Sequence, residues 1–247
     1  EDAQRAILLG ADRQRVRVDG NAKYAGLIDK ARPALTAAPA ARLALNEAPL
    51  LVAGSVRTGE EAPLLEAFGQ VLASHPEAVL AVAPRHVERA PRWLAEAGRR
   101  GLNPAAWTSL SPEKPRPAAC RVVVVDVMGQ LMGCYGLGRA AFLGASLVPL
   151  GGQNPMEPAA WGLPVAYGPS MEDFADAAAA LEAAGAARRV ADAGQLAGFW
   201  LKSLERPEAA QTAGRAGRAV VAGWSGAARI AAELIVRELE RVGALPK

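Results

Sequence analysis

From Pro49 onward the chain alternates short, uninterrupted apolar runs with stretches whose apolar residues recur at helical spacing. The runs are PLLVAG (49–54), AVLAVA (78–83), CRVVVVDV (120–127), AAFLGA (140–145) and PVAYG (164–168). Short apolar bursts without polar alternation suit strands covered on both faces. Between them, EEAPLLEAFGQVLASH (60–75) and VERAPRWLAEAGRRG (87–101) place apolar residues three and four apart, as amphipathic helices do. Strand–helix–strand repetition predicts a parallel sheet with right-handed crossovers, so the predicted fold class is α/β, a doubly wound, Rossmann-like sheet. From Ser170 the pattern turns mainly helical. Ser225 is predicted to cap a last amphipathic helix with Ile230, Leu234, Leu239 and Val242 on one side.

Residues 1–48 have a different texture. RVRVDG (15–20) reads as a lone strand, GNAKY (20–24) as a turn, and KARPALTAAPAARLALNEA (30–48) as a Pro-interrupted, Ala-rich connector. A lone strand needs a sheet, so it either joins an edge of the main sheet or is a remnant of a neighbouring domain. The remnant is the reading adopted here, with a stub and connector over 1–48 and a ligand-binding domain over 49–247.

Composition narrows the chemistry. With 51% hydrophobic but only 5% aromatic residues, the core must be built from Ala, Val and Leu. A net charge of +3 without blocks of like charge gives no basic stripe for nucleic acid. Cys120 and Cys134 lie far apart and only two histidines occur, so neither a disulfide framework nor a metal site is expected. No apolar run approaches the roughly 18 residues of a membrane span, and Glu1-Asp2 opens nothing like a signal peptide, so the expectation is a soluble chain.

In open parallel sheets ligands bind beyond the carboxyl ends of the strands. Four loops fall there: SVRTGEE (55–61), PRHVER (84–89), MGQL (128–131) and SLVPLGGQNPMEP (146–158). In the first, Thr58 and Glu61 have capping-box spacing, which would start a helix near Gly59 and place Ser55 and Arg57 beside its positive end. Asp126 reads as a helix cap, Met128 as a core residue, and His86 as a loop histidine without a catalytic partner. In the fourth loop Gly151-Gly152 form a hinge, Asn154 an N-cap and Pro155 a first helical residue, while Glu157 either caps or binds ligand. Hydroxyls, guanidinium groups, helix-start amides and one carboxylate on one rim are what a nucleotide sugar needs, because cations neutralise phosphate and a carboxylate accepts ribose hydroxyls. No GxGxxG or Walker loop occurs, which argues against NAD and ATP.

Taken in order, GNAKY (20–24), SVRTGEE, PRHVER, DVMGQL (126–131) and SLVPLGGQNPMEPAAWGLPVAYGP (146–169) resemble the motifs of bacterial 3-deoxy-D-manno-octulosonic acid (Kdo) transferases, specifically the C-terminal half of these GT-B glycosyltransferases. The family patterns are GNLKF, STREGEE, PRHPER, DTMGEL and SLVPxGGHNPLEPAALGKPVLxGP, and the resemblance covers about residues 15 to 200. It implies a GT-B C-terminal domain that binds the donor CMP-Kdo, with no cofactor and no metal. Arg85 would meet the phosphate, while Met128, Gly129, Gln130, Leu131 and Asn154 would hold the nucleotide. Glu157 would take the ribose, with Ser55 and Arg57 nearby. It further implies an enzyme of lipopolysaccharide synthesis acting on a lipid A precursor at the cytoplasmic face of the inner membrane. The general base and membrane anchor would sit in an N-terminal domain outside this chain, so this part alone would be inactive, its last helix crossing back toward that domain. Two residues depart from the pattern: Gln130 stands where the family has Glu, and Gln153 where it has His. SMEDF (170–174) lacks the Asn that often precedes the Phe. A different GT-B nucleotide-sugar enzyme and a non-catalytic binding domain remain as alternatives.

Overall fold

The computed structural model describes residues 2–18 and 21–244. The chain separates into two compact units, one from Leu27 to Val221 and the other from the described residues up to Gly26 together with those from Ala222 on. Residues 27–48, part of the stub and connector read over 1–48, therefore pack within the first unit.

That unit is built on a sheet of seven parallel strands, β1 (Leu50–Val56), β2 (Val79–Pro84), β3 (Ala105–Ala106), β4 (Val122–Val124), β5 (Gly138–Leu143), β6 (Val165–Tyr167) and β7 (Ala187–Arg189). Their spatial order is β3-β4-β2-β1-β5-β6-β7, so the chain winds outward from β1 on one side and then returns to its other side. The helices in chain order are α1 (Asp2–Leu8), α2 (Leu27–Lys30), α3 (Ala37–Leu43), α4 (Glu61–Ser74), α5 (Ala90–Arg99), α6 (Leu131–Tyr135), α7 (Met156–Ala160), α8 (Ala175–Ala183), α9 (Ala193–Glu205), α10 (Pro207–Trp224) and α11 (Ala227–Arg241). The doubly wound parallel fold read from the apolar runs is the fold observed.

All six residues of β2 and six of the seven in β1 are buried, which is why these strands show no polar alternation. Small side chains such as Ala53, Ala81, Ala141 and Ala166 let the covering helices approach the sheet. The few large residues, Phe68, Trp93 and Trp200, fill the space between sheet and helices. β3 and β7 were missed because two or three residues give no periodicity, and β7 is a half-exposed edge ending in Arg188 and Arg189.

Several local expectations are corrected. The lone strand over 15–20 does not form: Arg13–Arg15 make a 3₁₀ turn, held by the Asp12 side chain accepting from Gln14 N–H, and residues 16–18 are irregular. Asp19 and Gly20 lie outside the described residues. GNAKY does turn, as a 3₁₀ helix Ala22–Tyr24 capped by Asn21. The connector forms α2, a 3₁₀ turn at Pro33–Thr36 and α3, anchored by the fully buried Leu43. Ser225 is not the cap of α11: Gly226 holds that position without a side-chain bond. Ile230, Leu234 and Leu239 are half-buried on α11, whereas Val242 is exposed. The segment Pro207–Arg241 also includes an 18-residue window of mean hydropathy 1.4, 11% buried, which is by length and composition alone apolar enough to cross a membrane. The expectation that nothing approaches a span overlooked it because the paired Arg229 and Glu233 interrupt the apolar run.

The most demanding feature of the sheet unit is the buried carboxylate of Glu60, just before α4. Its Oε2 accepts the N–H groups of Arg57 (2.8 Å) and Ala145 (2.9 Å), and its Oε1 those of Ser146 and Leu147 (3.0 Å each). Burial holds this carboxyl above its ordinary range, while the four backbone N–H groups pull it down. The predicted Thr58 cap is replaced by this arrangement: Glu60 occupies the N-cap position of α4, and Glu61 accepts from Gly59 N–H at 2.7 Å.

Because each Glu60 oxygen takes two donors, Glu60→Gln would turn an amide NH2 toward two backbone N–H groups. The expected cost is about 3 kcal/mol, from two buried donors left unsatisfied. In a domain of this size that is a fall in melting temperature of about 6–12 °C. Thermal unfolding followed by circular dichroism checks this, and a melting temperature unchanged within about 2 °C would show that the carboxylate does not join the two loops.

Candidate functional site

At the carboxyl ends of the central strands lies a cavity of about 410 Å³. Its lining comes from Ser55 on β1, from Ala83, Pro84 and Arg85 at the end of β2, and from Val125, Val127, Met128 and Gly129 after β4. Leu131 and Met132 of α6, Gln153 and Glu157 around the start of α7, and Leu27 and Lys30 of α2 complete it. This is where an open parallel sheet with this winding places its ligands.

β1 reaches the cavity through an irregularity. Its register against β2 shifts between Gly54 and Val56, and Ser55 between them has φ +54°. A left-handed serine costs roughly 1–3 kcal/mol unless the surroundings hold it, and here it turns the strand end into the cavity wall. Beneath it, a Cβ on Gly54 would collide with the Tyr135 hydroxyl, so only glycine fits. Tyr135 is completely buried, and burial first, then the negative charge of Glu157, raises its pKa well above the usual phenol value. It remains neutral at any physiological pH.

Arg85 follows directly, its own N–H donating to Val56 O at 3.0 Å, so the backbone beneath the guanidinium is fixed although the side chain is exposed. His86 is an exposed loop residue, with Nδ1 3.5 Å from Glu88. After β4, Asp126 does not cap a helix: its two oxygens accept from Thr108 N–H (3.0 Å) and Thr108 Oγ (2.6 Å), tying this loop to the segment after β3. The turn that follows needs positive φ at Gly129 (+87°) and leaves Met128, named from the sequence as a nucleotide contact with a core place as the alternative, 69% exposed on the cavity wall.

The GGQNPMEP stretch is organised from both sides. Gly151 and Gly152 each have φ +79°, and a Cβ would run into Asp173 at the first and Met171 at the second. Gly151 N–H donates to Ser170 Oγ at 2.8 Å and Gly152 N–H to Ala145 O at 2.9 Å, stitching the hinge to the loops after β6 and β5. Asn154 Oδ1 then accepts Met156 N–H at 3.1 Å, which starts α7 one residue later than the sequence suggested. Asn154 Nδ2 donates to Glu157 Oε1 at 3.3 Å. Glu157 is half-buried and is the one carboxylate among the described residues lining the cavity.

Of the nine residues singled out from the sequence, Ser55, Arg85, Met128, Gly129, Leu131 and Glu157 line the cavity. Arg57, Gln130 and Asn154 do not. Asn154 acts on the site by orienting Glu157, and Arg57 contributes its backbone N–H to Glu60. Sequence reasoning missed Lys30, Leu27, Met132 and the strand-end residues Ala83, Pro84, Val125 and Val127. The helical spacing in GLIDK was the available signal for Lys30, hidden because residues 1–48 were set apart from the domain. Among the described residues no group of three or more His, Cys, Asp or Glu side chains stands close enough to hold a metal ion.

No family model matches the chain. The chain is 35% identical over 184 residues to the 3-deoxy-D-manno-octulosonic acid transferase of Bordetella pertussis, covering 73% of this chain and 42% of that protein. With the enzyme of the same description from Aquifex aeolicus it shares 34% identity over 136 residues, 55% of this chain and 36% of that one. The chain thus spans about two fifths of the length of these relatives. Among solved structures, it superposes with a TM-score of 0.69 and 27% identity on the C-terminal CMP-Kdo binding domain of WaaA from Acinetobacter baumannii, covering 79% of this chain and 98% of that domain. The chain belongs to the 3-deoxy-D-manno-octulosonic acid transferase family and corresponds to the C-terminal, GT-B-type domain of its members.

Proposed function

We propose that this chain is the donor-binding domain of a glycosyltransferase that takes CMP-Kdo and transfers the sugar acid to a lipid A precursor. The observation that carries this reading is the near-complete coverage of the Acinetobacter CMP-Kdo binding domain, joined to a strand-end cavity that holds cations, one carboxylate and an apolar wall. Arg85 grips the phosphate with its planar fork, and the Glu157 carboxylate accepts the ribose hydroxyls. Ser55 adds a hydroxyl at the end of β1, and the Met128–Leu131 turn supplies the wall against which the base lies. Gln130, Arg57 and Asn154 support the nucleotide from behind the lining.

Further parts belong to the same proposal. The donor is the only small molecule required, without cofactor or metal. The acceptor groove and general base reside in an N-terminal domain, and the whole protein works at the cytoplasmic face of the inner membrane. The residues before Leu27 and the final helix link the two parts.

Titration calorimetry against CMP and UDP tests this. CMP is expected to bind at least tenfold more tightly, about 1.4 kcal/mol. Preference for UDP would move the chain to another class of nucleotide-sugar enzyme.

Glu157 separates ligand binding from simple capping. Losing a charge-assisted hydrogen bond costs about 1.5–3 kcal/mol, or roughly 10- to 150-fold in CMP affinity. Glu157→Ala is therefore expected to stay folded with a near-normal melting temperature while losing that affinity. A lowered melting temperature with full CMP affinity would leave the side chain as a cap alone.

Arg85→Ala is expected to weaken CMP binding about tenfold or more, and Arg85→Lys to fall between it and the original because it keeps the charge but loses the fork. Binding of all three proteins should weaken as salt rises. If Arg85→Ala binds CMP within about twofold of the original, roughly 0.4 kcal/mol, the phosphate is held elsewhere.

A further inference from the structure

The cavity contains one more cation than the nucleotide phosphate requires. Arg85 stands at the end of β2 and Lys30 at the end of α2, and both line the same space. Among the described residues neither side chain has a hydrogen-bond or ion-pair partner, and the single lining carboxylate, Glu157, is already bonded to Asn154. The walls around the two cations are apolar, with Pro84, Val127, Met128 and Met132 among them. Unpaired charges facing an apolar-walled cavity gain most from an anionic ligand, because little else there can satisfy them.

Resting on the donor assignment proposed above, we infer that Lys30 binds the carboxylate of the sugar acid while Arg85 holds the phosphate. An ulosonic acid is a 2-keto acid, so its anomeric carbon is bonded directly to the carboxylate carbon. A nucleotide linked through that carbon therefore carries a phosphodiester and a carboxylate side by side, two negative charges in one small volume. Two cations on one cavity match that charge count. The assignment of each follows from side-chain chemistry: a fixed fork suits the phosphate oxygens, and a compact ammonium on a flexible stem can follow the carboxylate as the sugar settles.

The backbone under Lys30 is well placed for this work. Leu27, one turn earlier, is buried at 6% exposure, and α2 packs against α7, the helix that carries Glu157. The ammonium is thus tethered to the same wall as the ribose-binding carboxylate while its side chain remains exposed. A nucleotide bearing a neutral sugar would leave Lys30 without a partner, so the residue makes the cavity selective for acidic sugars.

Calorimetric titration of CMP and of CMP-Kdo into the original chain, Lys30→Ala, Lys30→Arg and Arg85→Ala tests the inference. Lys30→Ala is expected to bind CMP within about twofold of the original but CMP-Kdo at least tenfold more weakly, the loss of one charge-assisted contact. Lys30→Arg should recover most of that loss, and Arg85→Ala should weaken both ligands. Equal weakening of CMP and CMP-Kdo by Lys30→Ala would overturn the inference, because Lys30 would then act on the phosphate; so would no effect on either. Either result, with CMP still bound in an Arg85-dependent manner, leaves the donor assignment standing. If the original chain binds neither ligand, the donor assignment falls and the role of Lys30 with it.

Discussion

The rim of this domain depends on one buried negative charge. Glu60 sits between β1 and α4, yet three of its four N–H donors belong to residues 145–147, beyond the end of β5. An ionised carboxylate is costly to bury, so it can be kept only where donors surround both oxygens. Meeting that condition forces the two loops flanking β1 and β5 into one rigid body. The constraint then spreads. Ser146, held by Glu60 through its N–H, accepts Gly168 N–H on its hydroxyl at 2.7 Å and Ser170 N–H on its carbonyl at 3.1 Å. Ser170 in turn accepts from Gly151. Loops after β1, β5 and β6 thus share one hydrogen-bond network, and α7 with Glu157 hangs from its far end.

Two strained positions lie on the same network. Ser55 and Ala145, at the ends of β1 and β5, both have left-handed backbone, with φ +54° and +60°. Neither is glycine, so each costs energy that the surrounding hydrogen bonds must offset. Ala145 is held on both sides, donating to Glu60 and accepting from Gly152. The Gly151–Gly152 hinge is then explained less by freedom than by crowding, because Asp173 and Met171 fill the space where side chains would go. The hinge lets the chain cross closely over the loop after β6 and still begin α7 with the geometry that Asn154 requires.

How far the sequence disclosed this follows from the range of the interactions involved. β1, β2 and β5 were legible because burial on both faces writes a continuous apolar run, and α4 and α5 because one-sided burial writes a period near 3.6. β3 left no such trace, since its two residues are positioned by β4 alone. Local rules failed where a distant partner outbid them. Thr58 had the spacing of a cap, but Glu60 and Glu61 took that position once residues 145–147 arrived. Asp126 had the look of a cap, but Thr108, 18 residues away, claimed both its oxygens. Asn154 was read correctly as an acceptor at the start of α7, because its bond lies two residues along the chain, although Pro155 takes the N-cap position. In the site, the loop residues Ser55, Arg85 and Glu157 were found by counting loops, while the strand-end residues before them were missed and Lys30 was lost to a domain boundary drawn on texture.

The fate of the first helix explains why the cavity relies on side chains. In many open parallel sheets the helix after β1 turns its free N–H groups and positive dipole toward a phosphate, helped by a glycine-rich loop. Here that end carries two glutamates. Glu61 takes Gly59 N–H, Glu60 N–H bonds to Arg57 O, and Pro63 in the first turn has no N–H to offer. Two carboxylates at this terminus also cancel much of the half-charge that the dipole would supply. An anion approaching β1 would meet two carboxylates there, so attraction is expected from neighbouring elements. Arg85 on the β2 side and Lys30 beside α7 are the cations that remain facing the cavity. A sequence without a glycine-rich phosphate fingerprint is thus matched, among the described residues, by two cations lining the cavity. The carboxylates at the helix terminus hold the rim together, and the positive charge lining the cavity is that of Arg85 and Lys30.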